Sequence, residues 1–554
     1  MNSKLTWGII GTGGIARAFA KGLAGSCTGS LLAVGSRTQA SADTFGGEFA
    51  IPRRYGSYEA LLADSDISAV YIALPHVFHA EWAVKAMEAG KHVLCEKPAA
   101  LNHAEAMVMV ETARRYDVFF MEAFMYRCHP QTAKLIELLR QRVIGDIHVV
   151  QASFSFHGGF DLNRRLFNNA LGGGGILDVG CYCTSMARLV AGIANGKDYI
   201  EPIDVKAVGQ IGAESRIDEY AVASAKFPGG ILAELSTGVR LNQENVVRIF
   251  GSDGSIFLPD PWVPSRNGGT TKIIVQRRGQ SAEEIPVHTD MPLYGIEADT
   301  VAAYVDQRQA PAMCWDDTLG NMKMLDQWRM AIGMIYDSEK REAQIETITK
   351  RPLAVHQDAP MIYGHIDGID KPMSRLVMGV DNQQFMPHAA VMFDDFFEQG
   401  GTCFDTAHLY GGGELERVLG QWMNSRGVRD RVVVLGKGAH TPFCTPEFVT
   451  SHINESLERL HSDYIDIFMM HRDNLDVPVG EFIDVLNEHL HAGRIRAFGG
   501  SNWSIERVQA ANEYARAHGR VGFAAVSDNF SLAQMLDPVW PGCIAVSDAK
   551  SRAW

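Results

Sequence analysis

Three rhythms of apolar and polar residues succeed one another along the chain. In residues 1–125, short apolar runs ("LTWGII" from residue 5, "LLAVGSR" from 31, "SAVYIAL" from 68, "KHVLCEK" from 91, "VFFMEAF" from 118) alternate with stretches such as "HAEWAVKAMEAG" and "HAEAMVMVETARRYD", whose apolar residues recur at helical spacing. Strands alternating with helices predict α/β architecture with a parallel, doubly wound sheet. From 126 to 337 the rhythm changes. "HVVQASFSF", "DVKAVGQI", "EYAVASAKF", "GILAELSTGV", "NVVRIFG" and "SIFLP" follow one another with short turns, which predicts an α+β domain with a largely antiparallel sheet, closed by the helical "IEADTVAAYVDQRQ" and "DDTLGNMKMLDQWRMAIGMIY". Residues 338–371 gain charge and proline and lose periodicity, and read as a linker. Over 372–554 the runs "RLVMGV", "GTCFDTA", "RVVVLGK", "DYIDIFMMH", "RAFGGSN" and "FAAVSDNFSL" recur roughly every 30 residues with helices between them, the pattern of βα units in a (β/α)8 barrel.

Composition narrows the function. A chain of 554 residues exceeds one ordinary core, so several domains are expected. The formal net charge of -14 and the absence of any basic run argue against a nucleic-acid partner. Nine cysteines without a CxxC pair suggest neither a disulfide framework nor a zinc site, and no metal is expected. Cys181 and Cys183 read as small core residues. "MNSKLTWGII" enters a strand directly, and no run of eighteen apolar residues occurs, so the expectation is a cytoplasmic protein that neither spans nor binds a membrane.

Candidate chemistry begins at the first turn. Between a strand and a helix, Gly11, Thr12, Gly13, Gly14, Ile15 and Ala16 supply a G-x-G-x-x-A dinucleotide fingerprint: Gly11 for the tight turn, Gly13 for backbone approach to a pyrophosphate, Ala16 for helix–strand packing. A plain glycine turn is the alternative. The next strand ends in Ser36 and Arg37, where an acidic residue would hold the ribose of NAD. A hydroxyl and a guanidinium suit a 2′-phosphate, so NADP is the expected cofactor and NAD the alternative. Ligands of such sheets lie at the carboxyl ends of the strands, which places Leu74, His76, His79, Glu96 and Lys97 at the same cofactor site.

Taken together, "GIIGTGGIA", "HVLCEKPAA" and "GGGGILDVGCYC" resemble the Gfo/Idh/MocA oxidoreductases over about residues 4 to 337. "YGSYEALLAD", "MEAFMYR" and "GGGGILDVGCY" resemble most the dimeric dihydrodiol dehydrogenases and NADP-dependent D-xylose dehydrogenases within that family. The resemblance implies an N-terminal Rossmann domain and a second domain whose open sheet pairs two copies into a homo-oligomer. It also implies oxidation of a sugar, polyol or dihydrodiol carbinol. The chemistry of the residues agrees: Lys97 beside Tyr182 offers an acid/base pair for the hydroxyl proton. Asp178, four positions before Tyr182, shares its helix face and offers a carboxylate to a substrate hydroxyl, helix capping being the alternative. Arg127 is placed either at the substrate mouth or on an ordinary surface. Met125 stands where these relatives often carry an aromatic, which shifts the expectation toward sugars.

The third rhythm resembles a different family. "FDTAHLYG", "VLGKG", "DYIDIFMMHRD" and "GGSNW" are similar to the aldo/keto reductases, (β/α)8 barrels that bind NADPH. Carried over singly, Tyr410 would donate the proton, Lys437 would lower its pKa, Asp405 would tune Lys437, His471 would orient the carbonyl, and Ser501 and Asn502 would hold the nicotinamide amide. Two features depart from that pattern. Ser527 stands near the position of a cofactor-contacting glutamine, and the sequence stops at Trp554 before a seventh strand, so a partial barrel of low stability and low activity is expected, completion by a partner chain or a C-terminal extension being the alternative. Two rival readings stand beside this one, the first keeping the fold with another reaction and the second of a different functional class. One is an NAD-dependent glycosidase that retains its dinucleotide, and the other is a non-catalytic NADP-sensing or scaffold protein.

The cofactor expectation is checked by comparing kcat/KM for NADP and NAD. The natural chain is expected to prefer NADP and Arg37→Ala to lose most of that preference; equal use of both cofactors by the natural chain contradicts it.

Overall fold

Parallel pairing runs through the first sheet of the computed structural model, which describes residues 4–554 and divides between Ser338 and Glu339 into two compact units. β1 (Leu5–Ile10), β2 (Gly29–Gly35), β3 (Arg53–Tyr55), β4 (Ala69–Ile72), β5 (His92–Glu96) and β6 (Phe120–Ala123) lie in the order β3-β2-β1-β4-β5-β6. This is the Rossmann arrangement, with the order reversing beside β1. The helix Gly14–Leu23 buries Ala16, Phe19, Ala20 and Leu23, one stripe at helical spacing, and Phe19 stacks on Tyr71 of β4 with ring centroids 3.8 Å apart.

The second sheet, of eight strands, comprises β7 (Ile147–Ser155), β8 (Asp204–Ile211), β9 (Asp218–Lys226), β10 (Leu232–Gly238), β11 (Val247–Gly251), β12 (Gly254–Leu258), β13 (Gly269–Arg277) and β14 (Glu283–Thr289). Its order is β14-β13-β12-β11-β7-β10-β9-β8, antiparallel except where β7 meets β10. Two of these strands were absent from the sequence expectation. β14 reads "EEIPVHT" and buries only Val287, so its apolar signal is faint. One face of the sheet covers the helix Cys181–Ala194. The stretch Asn169–Ala194 is apolar and long enough to cross a membrane, yet its apolar window is wholly buried within this unit. The chain then returns to the first sheet: the helix Leu293–Tyr304 packs so closely on Gly14–Leu23 that a Cβ at Gly22 would lie 2.5 Å from Tyr294 Cβ.

In the second unit a hairpin of β15 (Tyr363–Gly364) and β16 (Met373–Ser374) precedes a parallel sheet. Its strands are β17 (Val377–Gly379), β18 (Cys403–Ala407), β19 (Val433–Gly438), β20 (Ile465–Met470), β21 (Ile495–Gly500) and β22 (Ala525–Val526), paired in sequence order. Cys403, Val433, Ile467, Met469 and Ala497 form the inner face, while Phe404, Val434, Phe468 and Met470 pack outward against the helices. That two-faced, helix-covered parallel sheet is a partial (β/α)8 barrel. The stretch 338–371 does not behave as a free linker. Leu353 is buried in the outer cluster and Ile369 in the inner one, so apolar side chains within a charged segment tie it to the barrel.

β17 and β22 leave two open edges, and Leu532, Leu536, Val539 and Trp540 are exposed beyond them. The chain is therefore expected to unfold in two steps on heating, with 339–554 first. Limited proteolysis along the melt checks the order, and early cleavage confined to 4–338 would contradict it.

Candidate active site

The cofactor cradle is built at the end of β1. Gly11 has φ +105°, and a Cβ there would lie 2.5 Å from Ala73 O, so only glycine makes the turn. The following helix has no side-chain cap at Gly13, and side chains at Gly13 or Gly14 would meet nothing within 4 Å. Uncapped N–H groups at an open helix N-terminus fit a pyrophosphate, with Thr12 and Ile15 flanking them. At the end of β2, Ser36 is buried and Arg37 exposed. His79 is fully buried between the carbonyls of Leu74 and Pro98, each 2.8 Å from a ring nitrogen. Burial lowers its pKa to about 4, against those carbonyls, so it braces two strand ends and reaches no ligand directly. Glu96 is buried and accepts the Tyr71 hydroxyl proton; burial raises its pKa.

Across from this cradle the turn Gly172–Gly175 starts the segment that carries Asp178 and Tyr182. Gly174 has φ +118°, and a Cβ there would lie 2.2 Å from Asp218 Oδ1. Nearly every polar group of the turn is taken: Gly172 O accepts from His76 Nδ1 (2.8 Å), Gly173 O from the Tyr336 hydroxyl (2.7 Å), and Gly175 O from Thr237 Oγ1 (3.0 Å), while Ile176 N donates to Asp218 (2.6 Å). One π-helical turn, Ile176–Gly180, follows. Its Asp178 carbonyl accepts from Lys97 Nζ at 2.6 Å, so the irregular turn meets the lysine that follows β5 beside the tyrosine's helix. Lys97 Nζ lies 5.2 Å from the Tyr182 ring centroid.

Tyr182 stands in an aromatic cage. Phe124, Tyr126, Phe154 and Trp262 all have ring centroids within 5.8 Å of it, and its hydroxyl points to Met125 Sδ at 3.5 Å. Burial pushes its pKa well above the usual phenol value, with Glu96 adding to the shift, so it is a protonated donor at neutral pH. Asp178 is buried too. That opposes its charge, but Arg165, Lys97 and His76 overcome the burial and hold the carboxyl below its usual range. Arg165 opens the short 3-10 turn Arg165–Phe167, outside every motif quoted from the sequence; its Nη2 donates to Asp178 Oδ1 at 2.9 Å and its Nη1 to His76 Nε2 at 3.1 Å.

Arg127 does not reach this site. It is buried, donating to Asp317 (2.6 Å) and Ser185 Oγ (2.9 Å), and Arg188 pairs with the same Asp317. A substrate role for Arg127 is therefore replaced by a structural one, since a buried guanidinium needs that carboxylate.

In the second unit the four expected residues are drawn together at the strand ends. Lys437 Nζ contacts the Asp405 carboxylate and lies 5.3 Å from the Tyr410 ring centroid, and Tyr410 stands edge-on to His471 at 6.0 Å. Burial pulls Lys437 down to about 7 against Asp381 and Cys403; the direct Asp405 contact further favours the ammonium. His471 is lowered to about 3 by burial and then by Lys437, so it is neutral. Tyr410 is raised by burial and by Asp381, an exposed carboxylate not singled out from sequence. Ser501 and Asn502 are engaged by their own chain. Ser501 Oγ donates to Ser527 O (2.7 Å), Asn502 N donates to Asp528, and Asn502 Oδ1 accepts from Ile544 N (3.2 Å). A nearby cavity of about 390 Å³, lined by Trp503, Val526, Phe530, Val546 and Trp554 among others, contains none of the four reactive residues.

Comparison with known proteins agrees with both architectures. Residues 5–124 match the model of the Gfo/Idh/MocA oxidoreductase family with its NAD-binding Rossmann fold, residues 132–257 that family's C-terminal domain, and residues 377–539 the aldo/keto reductase family. The trans-1,2-dihydrobenzene-1,2-diol dehydrogenase of Mus musculus is 32% identical over 352 residues, covering 61% of this chain and 99% of its own. The D-xylose 1-dehydrogenase (NADP(+)) 2 of Haloferax volcanii is 30% identical over 347 residues, covering 62% and 99%. Among solved structures, the 3-ketoreductase KijD10 of Actinomadura kijaniata, in complex with NADP and TDP-benzene, superposes with a TM-score of 0.54 at 27% identity, covering 60% and 98%. The chain belongs to the Gfo/Idh/MocA family of oxidoreductases and carries a domain of aldo/keto reductase type behind it.

Arg127→Met is expected to cost about 3 kcal/mol of stability, as for one lost member of a buried ion pair, while leaving substrate KM unchanged. A raised KM without a fall in Tm would restore Arg127 to the substrate site.

Proposed function

We propose that the front unit moves hydride between NADP and the carbinol carbon of a sugar, polyol or dihydrodiol. The observation that carries this reading is Lys97 lying over the face of a caged, protonated Tyr182 beside an open dinucleotide cradle. In the reducing direction Tyr182 gives its phenol proton to the carbonyl oxygen as the carbon receives hydride; in the oxidising direction the Tyr182 phenolate oxygen takes the substrate hydroxyl proton back as hydride leaves the carbon. The Lys97 ammonium stabilises the phenolate left in between. A bound nicotinamide supplies or takes the hydride. Asp178 offers its second carboxylate oxygen to a substrate hydroxyl, and the aromatic cage excludes water around the proton transfer.

Ser36 and Arg37 support NADP, as do the names of the xylose dehydrogenase and of the ketoreductase complex. The dihydrodiol dehydrogenases, the xylose dehydrogenase and an aldose-aldose oxidoreductase of Caulobacter crescentus support a polyhydroxylated substrate. Solved variants of the ketoreductase include a lysine changed to alanine and a tyrosine changed to phenylalanine, substitutions of the two residue types proposed here as the pair. Val208, Tyr220, Val222 and Leu232 stand exposed on neighbouring strands β8, β9 and β10, and support pairing of the sheet with a second copy. The barrel site is read as idle as it stands, because Ser501 and Asn502, the residues expected to hold a nicotinamide amide, are already hydrogen-bonded to Ser527, Asp528 and Ile544.

Turnover of aldoses, inositols and dihydrodiols followed by NADPH absorbance is the test. Lys97→Met and Tyr182→Phe are each expected to lower kcat by about 10² or more with cofactor affinity retained, and unchanged turnover in both removes the pair from the mechanism. The Lys97→Met chain also isolates the barrel: little aldehyde reduction is expected, and robust reduction abolished by Tyr410→Phe would show an active second site.

A further inference from the structure

Arg165 joins two domains with one planar group. Its Nη1 donates to His76 Nε2 on the loop after β4, and its Nη2 to Asp178 Oδ1 on the π-helical turn of the second domain. The His76 tautomer follows from geometry. Nδ1 faces the Gly172 carbonyl at 2.8 Å and must carry the proton, which leaves Nε2 as an acceptor suited to a guanidinium. Asp178 Oδ1 has two further cationic or potentially cationic neighbours, Lys97 Nζ and His76 Nε2, both 3.9 Å away and neither within hydrogen-bond reach. A nearly buried carboxylate does not stay unpaired. Without Arg165 the nearest strong cation is Lys97, and a small swing of the carboxylate would draw the ammonium away from the Tyr182 ring.

We propose that Arg165 is a positioning residue: by holding Asp178 and a neutral His76 in one fork, it keeps the carboxylate off Lys97 and so leaves Lys97 free to serve Tyr182. Burial first, then Arg165, His79 and Lys97, holds His76 neutral against Asp178, and on Asp178 the burial that opposes its charge is offset chiefly by Arg165 and Lys97. At its own position Arg165 is about a third exposed, with a side-chain accessibility of 36% against 8% for Asp178, so it can be substituted without opening the core. A lysine there keeps the positive charge but loses the planar fork, so it fixes the two acceptors less firmly.

The inference rests on Lys97 and Tyr182 being the acid/base pair, and its test separates the two ideas. In the full 554-residue chain, the ¹⁵N imidazole resonances of His76, assigned against His76→Asn, are followed between about pH 5 and 8. The natural chain is expected to hold one neutral Nδ1–H ring across that range and Arg165→Met to shift the Nε2 resonance, which loses its guanidinium donor; an ordinary titration in the natural chain, or an Nε2 resonance unmoved by Arg165→Met, overturns the inference whether or not any substrate turns over. On kcat, Arg165→Met is expected to lose about tenfold to 10²-fold, the scale of a misplaced catalytic group, with Arg165→Lys in between. Adding Asp178→Asn to Arg165→Met should then raise kcat above that of Arg165→Met alone, because a neutral amide no longer captures Lys97, even as KM rises. A double variant no faster than Arg165→Met shows that Asp178 does not trap Lys97 and overturns the inference. A tied His76 in a chain that turns nothing over defeats only the proposed function.

Discussion

The front site depends on how tightly the turn Gly172–Gly175 is held. Backbone and side-chain atoms crowd it at distances that admit no Cβ: a side chain at Gly173 would lie 2.6 Å from Leu166 O, and one at Gly174 would lie 2.2 Å from Asp218 Oδ1. Because the turn's carbonyls are satisfied by His76, Tyr336 and Thr237, and the N–H of Ile176 by Asp218, the segment behind it has one place to go. His76 belongs to the first domain and Thr237 and Asp218 to the second sheet. The same few bonds therefore fix the angle at which Asp178 and Tyr182 face Lys97.

Burial then assigns the protonation states. Tyr182 and Glu96 are pushed up by desolvation and His76 down, while Asp178 alone remains strongly acidic because three cationic or basic groups converge on it. A protonated phenol under an ammonium is suited to meeting a carbonyl oxygen. The second unit arrives at the same local solution on another fold, with Lys437 as far from the Tyr410 ring as Lys97 is from Tyr182, at 5.3 and 5.2 Å. In both places the lysine comes from the end of a parallel strand and the tyrosine from the segment that follows a different strand. Hydride chemistry needs a proton donor whose anion can be stabilised without water, and an ammonium against an aromatic face provides it.

The two sites differ in what surrounds that pair. In the front unit the cradle at Gly13 and Gly14 is open and its helix N–H groups are uncapped. In the barrel the polar groups of Ser501 and Asn502 already bond to the residues that follow β22, and the sheet has two edges. An arrangement of reactive side chains is only as useful as the space beside it, and that space is a property of packing.

Local periodicity was enough to read the three architectures from the sequence, and short motifs with strict backbone demands marked the glycine cradle and pointed to the residues of both lysine–tyrosine pairs, the second through its resemblance to a family. The sequence also carried Asp178, four positions from Tyr182 on the same helical segment. Folding alone settled where Arg127 goes, since its partner Asp317 lies 190 positions away, and brought Arg165, in a short 3-10 turn, onto His76 and Asp178. The tertiary structure alone showed that 339–371 packs on the barrel through scattered residues such as Leu353 and Ile369. The physical reason is common to all three: an arginine or an isolated aliphatic residue has no local signature of its destination, because what fixes it is a charge or an apolar surface that folding brings from far along the chain.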